Sequence, residues 1–221
     1  MKIPVDESGA KARINRQRRA AIGQEKRART RARILIATLD LYGRENGLFT
    51  RVEEICEAAG VTRQTFYNHF ASLDALREAG SYEITHDFLI CVTEAIAALP
   101  DPASRAAAAI RFYIDKARTD PAWGWSMVHL SAEGIIFGME TYRQAERTVT
   151  DGIASGDFDL VDSRLGRDLI LGASLAAIVT QLRDTPGPDF TLMMTRRILV
   201  GLGVSPSRAA QIVAQPLPVL R

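Results

Sequence analysis

One short stretch, Thr62-Arg63-Gln64-Thr65-Phe66-Tyr67-Asn68-His69-Phe70, combines side chains suited to reading nucleic acid with an apolar pair that must face elsewhere. Arginine can bond guanine through two parallel hydrogen bonds, glutamine and asparagine can do the same with adenine, and a threonine methyl can touch that of thymine. Tyr67 and His69 suit phosphate oxygens, contacts that position a helix without specifying sequence. Phe66 and Phe70 are four residues apart, so they share a helix face and should pack inward with Val61, Ile55 and Val52. Exposed polar residues are ordinary when met singly. The weight therefore falls on the elements around them.

Those elements have clear punctuation. Thr62 can cap a helix over residues 63–70, and Ser72 a fourth helix, Leu73 to Ala79. Thr50 followed by Glu53 has the capping-box spacing, which predicts a second, short helix ending at Gly60. Thr50 and Arg51, at its start, join the DNA-contact candidates Thr62, Arg63, Gln64, Thr65, Tyr67, Asn68 and His69. Upstream, Ile34, Leu35, Leu39, Leu41 and Tyr42 recur at helical spacing and predict a first helix from Arg27 to the Asn46-Gly47 pair. Two short helices joined by a tight turn containing glycine form a helix-turn-helix.

Charge is distributed unevenly along the 221 residues. Residues 1–33 hold eleven basic side chains against Asp6, Glu7 and Glu25, a surplus of eight, so the remaining 188 residues carry −6 within a whole-chain +2. Residues 1–26 contain few apolar side chains and are expected to form a flexible basic arm. Arg13, Arg16, Arg18 and Arg19 could follow phosphates or enter a minor groove. A plain solubilising tail is the alternative.

Beyond Gly80, helical periodicity recurs over 81–99, 102–119, 122–137, 139–155, 163–184 and 189–203, with Pro and Gly between. No sustained period-two alternation occurs, so the fold class is all-α. The helix-turn-helix domain at 27–79 should precede a larger helical ligand-binding and dimerisation domain at 80–221. At 47% apolar and 24% charged residues the chain is globular in composition. No apolar run suggests a membrane span or secretory leader, which places the chain in the cytoplasm. Cys56 and Cys91 are expected to be buried thiols.

An effector site could draw on Phe112, Tyr113, Trp123, Trp125, Met127, His129 and Phe137, with Met139 and Tyr142 nearby, although aromatic and Met residues at this spacing also build cores. His129 and Glu133 share a face, but two ligands are too few for a metal site, and neither metal nor cofactor is expected. The helices near 163–184 and 189–203 are more apolar than one contact face requires, and small residues such as Gly172, Ala173 and Ala176 permit close approach. A two-fold interface between copies would bury the surplus.

Taken together, Arg33-Ile34-Leu35, Leu41-Tyr42, Thr50-Arg51-Val52, Ile55, Ala59-Gly60-Val61-Thr62, Thr65-Phe66-Tyr67-Asn68-His69-Phe70 and Ser72-Leu73 resemble the DNA-binding domain of the TetR family of transcriptional regulators. The resemblance covers about 50 residues and rests above all on A-G-V-T-x-x-T-F-Y-x-H-F. It implies a homodimer that binds a palindromic operator, usually as a repressor, and is released by a small ligand in the C-terminal domain; the apolar character of the candidate effector residues points to a hydrophobic or aromatic one. Leu73 stands where the family commonly has a phosphate-contacting lysine, and Gln64 where many members have a small residue. The chain carries none of the common hydrolase, nucleotide-binding or zinc-protease motifs, so an enzyme is not expected. The competing function is a nonspecific, architectural DNA-binding protein without an effector.

Overall fold

The computed structural model describes residues 7–132 and 134–220, with side chains from Gln17 onward. Its helices are α1 (Glu7–Tyr42), α2 (Val52–Ala59), α3 (Arg63–Tyr67), α4 (Leu73–Ile96), α5 (Pro102–Thr119), α6 (Pro121–Leu130), α7 (Gly138–Ser155), α8 (Ser163–Asp184), α9 (Phe190–Gly201) and α10 (Pro206–Val213). Among the described residues there is no strand.

Several boundaries differ from expectation. α1 starts at Glu7, with no break at the 26/27 boundary assigned to a flexible arm. Residues 7–33 are rich in Ala, Arg, Lys and Glu, all strong helix formers, and contain no proline. α4 runs through Gly80, so the boundary drawn at 79/80 falls inside one helix. α6 stops at Leu130 rather than near 137, and α10, which opens on the Ser205 cap and Pro206, was not anticipated by periodicity. The capping box is shifted by one residue: Arg51 is the N-cap, and its backbone N–H donates to Glu54 Oε2 at 2.7 Å.

Two hydrophobic cores organise the chain. The smaller unites Ile34 and Leu35 of α1, Ile55 of α2, Phe66 of α3, Phe70, and Leu76 of α4. The larger is built from α4 to α10 and takes in Tyr42 at the end of α1. α1 and α4 therefore enter both. His129 fastens this joint: its Nδ1 lies 2.8 Å from the Tyr42 carbonyl oxygen, and its ring stacks on Trp125 at 5.6 Å. Burial holds its pKa below the usual histidine value. Arg77 of α4 adds a bond from Nε to the Tyr42 hydroxyl at 3.2 Å.

By length and hydropathy α8 could cross a membrane, contrary to the expectation that no segment would. Its buried Ile170, Leu171, Ala177 and Ile178 sit in the larger core, and charged Arg167 and Asp168 interrupt it. Cys56 is buried and Cys91 only half-buried; both are free thiols.

Candidate DNA interface and effector cavity

The recognition element is set by a few local bonds. Gly60 ends α2 in the left-handed region (φ 61°), which glycine adopts without steric cost. Arg33 of α1 donates from Nε to the Ala59 carbonyl at 3.2 Å and from Nη2 to that of Gly60 at 2.9 Å, clamping the turn. Thr62 then caps α3, its Oγ1 accepting the Thr65 N–H at 3.1 Å. Phe66 is fully buried and Phe70 nearly so, with Arg31 lying 5.0 Å over the Phe70 ring. This packing turns the opposite face of α3 outward.

On that face Thr62, Arg63, Gln64, Tyr67 and Asn68 are exposed, while Thr65 and His69 are half-buried. Arg63 pairs with Glu53 of α2 at 2.7 Å, and Gln64 Nε2 donates to Asn68 Oδ1 at 3.2 Å. Tyr67 and then Glu53 stabilise the Arg63 charge. At α2, Arg51 is exposed and Thr50 half-buried. Leu73 packs against the smaller core, so its side chain serves the interior where a lysine would meet phosphate.

The basic stretch of α1 passes directly beside this helix. Arg27 Nη2 donates to the Asn68 carbonyl at 3.1 Å, and a groove between the two helices is lined by Lys26, Arg27, Thr30, Thr65, Asn68 and His69. Partial burial, followed by the charges of Arg27 and Arg31, lowers the His69 pKa, so the imidazole is neutral near pH 7. Arg18 and Arg19 are exposed farther out on the same helix; the side chains of Arg13 and Arg16 lie outside those described. Two extended polar and cationic surfaces thus meet along one edge.

The second feature is a partly open cavity of about 60 Å³ between α4, α5, α7 and α8. Tyr113 and Phe137 line it, with ring centroids 5.2 Å apart. The other effector candidates do not. Phe112 precedes Tyr113 by one residue, about 100° around α5, and is buried in the core elsewhere. Trp123 packs behind Tyr113 at 6.0 Å and donates from Nε1 to the Ile84 carbonyl. Met127 is core, while Trp125 and His129 face α1 and α8, where Arg183 lies over the Trp125 ring. Glu133 lies outside the described residues, and among those described there is no cluster of three or more metal-ligating side chains. Most of the wall is aliphatic, including Val92, Ile96, Ile110, Ile170 and Leu171; it also holds Ser174, which no sequence signal singles out.

Residues 34–79 match the family described as "Bacterial regulatory proteins, tetR family", and residues 101–215 match "Tetracyclin repressor-like, C-terminal domain". Among solved structures, RolR in complex with resorcinol superposes with a TM-score of 0.73 at 25% identity, covering 90% of this chain and all of that one. RolR without ligand gives a TM-score of 0.69 at 25% identity over 86% of this chain and 100% of its own. FadR from Bacillus subtilis, in complex with stearoyl-CoA, gives 0.58 at 20% identity over 77% of this chain and 96% of that one. No curated protein matches the sequence.

Proposed function

The chain belongs to the TetR family of transcriptional regulators, and on that premise we propose that it is a repressor that binds a palindromic operator as a homodimer and releases it on binding a compact, apolar or aromatic effector. The observation that carries the DNA half is the exposed face of α3, where Arg63, Gln64 and Asn68 stand clear of a rear face locked by Phe66. Arg63 and Gln64 open the recognition helix and Asn68 caps its end; side chains of these types on its exposed face reach base edges, while Arg51, Thr62, Thr65, Tyr67 and His69 suit phosphate oxygens.

Dimerisation is proposed through α8 and α9. Leu165 and Met193, 58% exposed each, leave apolar surface on the two helices that core packing does not use. A four-helix interface would cover it and set two copies of α3 about one DNA turn apart.

Effector release follows from α4. Its C-terminal half supplies Leu89, Val92 and Ile96 to the cavity, and its N-terminal turn places Leu76 in the core under α3. A cavity of about 60 Å³ is smaller than the roughly 150 Å³ that admits benzene. Any aromatic guest must therefore displace the surrounding helices, and a shift of α4 re-aims the recognition helix. The resorcinol complex of RolR supports a small aromatic effector for this chain too. Two DNA-reading geometries cannot both be kept when α4 moves, which gives the ligand differential affinity for two states.

Footprinting in the presence of competitor DNA tests the proposal: protection of one palindrome is expected, whereas uniform coverage would favour an architectural role. Arg63→Ala should lower affinity for the protected site by about 1–3 kcal/mol and relax the preference at a single base-pair position in each half-site, measured by binding to a substituted operator set.

A further inference from the structure

We infer that Ser174 reads a hydroxyl group on the effector, and that the effector is a neutral, single-ring aromatic of the phenol class. The inference rests on the cavity being the effector site and adds the chemistry of what enters it.

Ser174 is 2% exposed, lines the cavity, and its Oγ has no hydrogen-bond partner. Among the described residues only Arg111 Nε and Asp157 Oδ2 share this state, and neither is a hydroxyl. Three buried helical threonines bond back to the carbonyl four residues earlier, Thr38 to Ile34 at 2.7 Å, Thr85 to Ser81 at 2.7 Å and Thr195 to Thr191 at 2.8 Å, while the buried hydroxyls of Ser104, Ser126, Thr141 and Thr191 find other partners. Ser174 lacks that bond and presents both a donor and an acceptor to a largely aliphatic space. An unsatisfied buried hydroxyl is unfavourable and is explained when a ligand group completes it.

The walls supplied by α5 and α7 carry a second polar point. Tyr113 Oη and Thr141 Oγ1 are 3.0 Å apart, and because each hydroxyl has one proton, their mutual bond leaves one proton available. Burial pushes the Tyr113 hydroxyl up to about 12, so it stays neutral. Thr93, Gln144 and Thr148 complete the polar lining, and no charged side chain lines the cavity. A carboxylate would enter without a counter-ion, which strongly disfavours acids and phosphorylated ligands. The tilted rings of Tyr113 and Phe137 offer an aromatic guest edge and face contacts, and every ring beyond the first would demand a further displacement of the helices.

Isothermal titration of the full-length protein with phenol, toluene and benzoate tests this, since toluene replaces the hydroxyl by a methyl of similar size. Phenol should bind about tenfold tighter than toluene, the factor one satisfied neutral hydrogen bond supplies, and benzoate should not bind. Ser174→Ala should erase the preference for phenol while leaving toluene affinity unchanged. Its thermal midpoint should equal or exceed that of the wild type, because the substitution removes an unpaired buried hydroxyl; a serine with only a structural role would not produce this combination. Equal binding of phenol and toluene by the wild type, or a preference that survives in Ser174→Ala, overturns the role of Ser174 and leaves the cavity as an effector site. Failure of both phenol and toluene to bind the wild type overturns the small-aromatic reading of the cavity together with the inference.

Discussion

Removal of residues 1–24 is expected to weaken operator binding at least tenfold at low salt and to flatten its dependence on salt concentration. The deleted segment holds six basic side chains, Lys2, Lys11, Arg13, Arg16, Arg18 and Arg19, against Asp6 and Glu7. Each phosphate contact contributes about −0.9 to the slope of log affinity against log salt concentration. If each protomer places two of the six on phosphates, the dimer loses four contacts and the slope flattens by about 3.6. Helical geometry favours such contacts: between Gln17 and Arg33 no residue is buried, and the helix advances about 1.5 Å per residue, so the basic stretch extends well past α3. Fluorescence anisotropy titrations of the full-length and truncated proteins over a range of salt concentrations measure both quantities. An unchanged slope would show that the segment is only a solubilising extension.

Phe66→Ala should destabilise the DNA-reading module by about 3–5 kcal/mol. Phe66 is fully buried at the centre of the smaller core, edge-on to Tyr67 at 5.2 Å and 6.0 Å from Phe70. That core is small, and the loss is comparable to the whole stability of many domains. Chemical denaturation followed by circular dichroism should show an early transition or a lowered midpoint, accompanied by loss of operator binding. Tyr67→Ala provides the contrast. Tyr67 is 45% exposed, so its removal should change stability by no more than about 0.5 kcal/mol while still weakening DNA binding. Equal destabilisation by the two substitutions would show that the division of α3 into a buried and a reading face is wrong.

The reading helix is legible in the sequence because its determinants are local. A threonine cap, a glycine in the left-handed turn and two phenylalanines four apart each act within one or two turns of helix. The capping box is harder to place, since Thr50 with Glu53 and Arg51 with Glu54 offer the same spacing, and only the backbone bond to Glu54 distinguishes them. Gly80 invites a helix end but lies mid-helix, where a side chain would meet only Leu39 and Leu130 at ordinary contact distance. The cavity is least legible. Four helices far apart in sequence contribute its wall, mostly as aliphatic residues indistinguishable from core, and the aromatic roster finds only Tyr113 and Phe137. Ser174 carries no local signal at all. A small residue on an apolar helix suits close helix packing equally well, and its missing partner is visible only when neighbouring helices are in place.

The passage of α4 through both cores bears on how this protein could be recombined with its relatives. A chimera joined at residue 79 or 80 is cut within a continuous helix, so the angular phase of the two halves becomes part of the design. One extra residue at the join would rotate the reading module by about 100° relative to the effector cavity and advance it by about 1.5 Å. Seven would nearly restore the phase yet lengthen the rod by about 10.5 Å. Because α1 also spans the joint, held at Tyr42 by His129 and Arg77, the second strut would then no longer match the first. Exchanging operator specificity while keeping effector response therefore calls for grafting the exposed face of α3, leaving α1 and α4 at their native lengths.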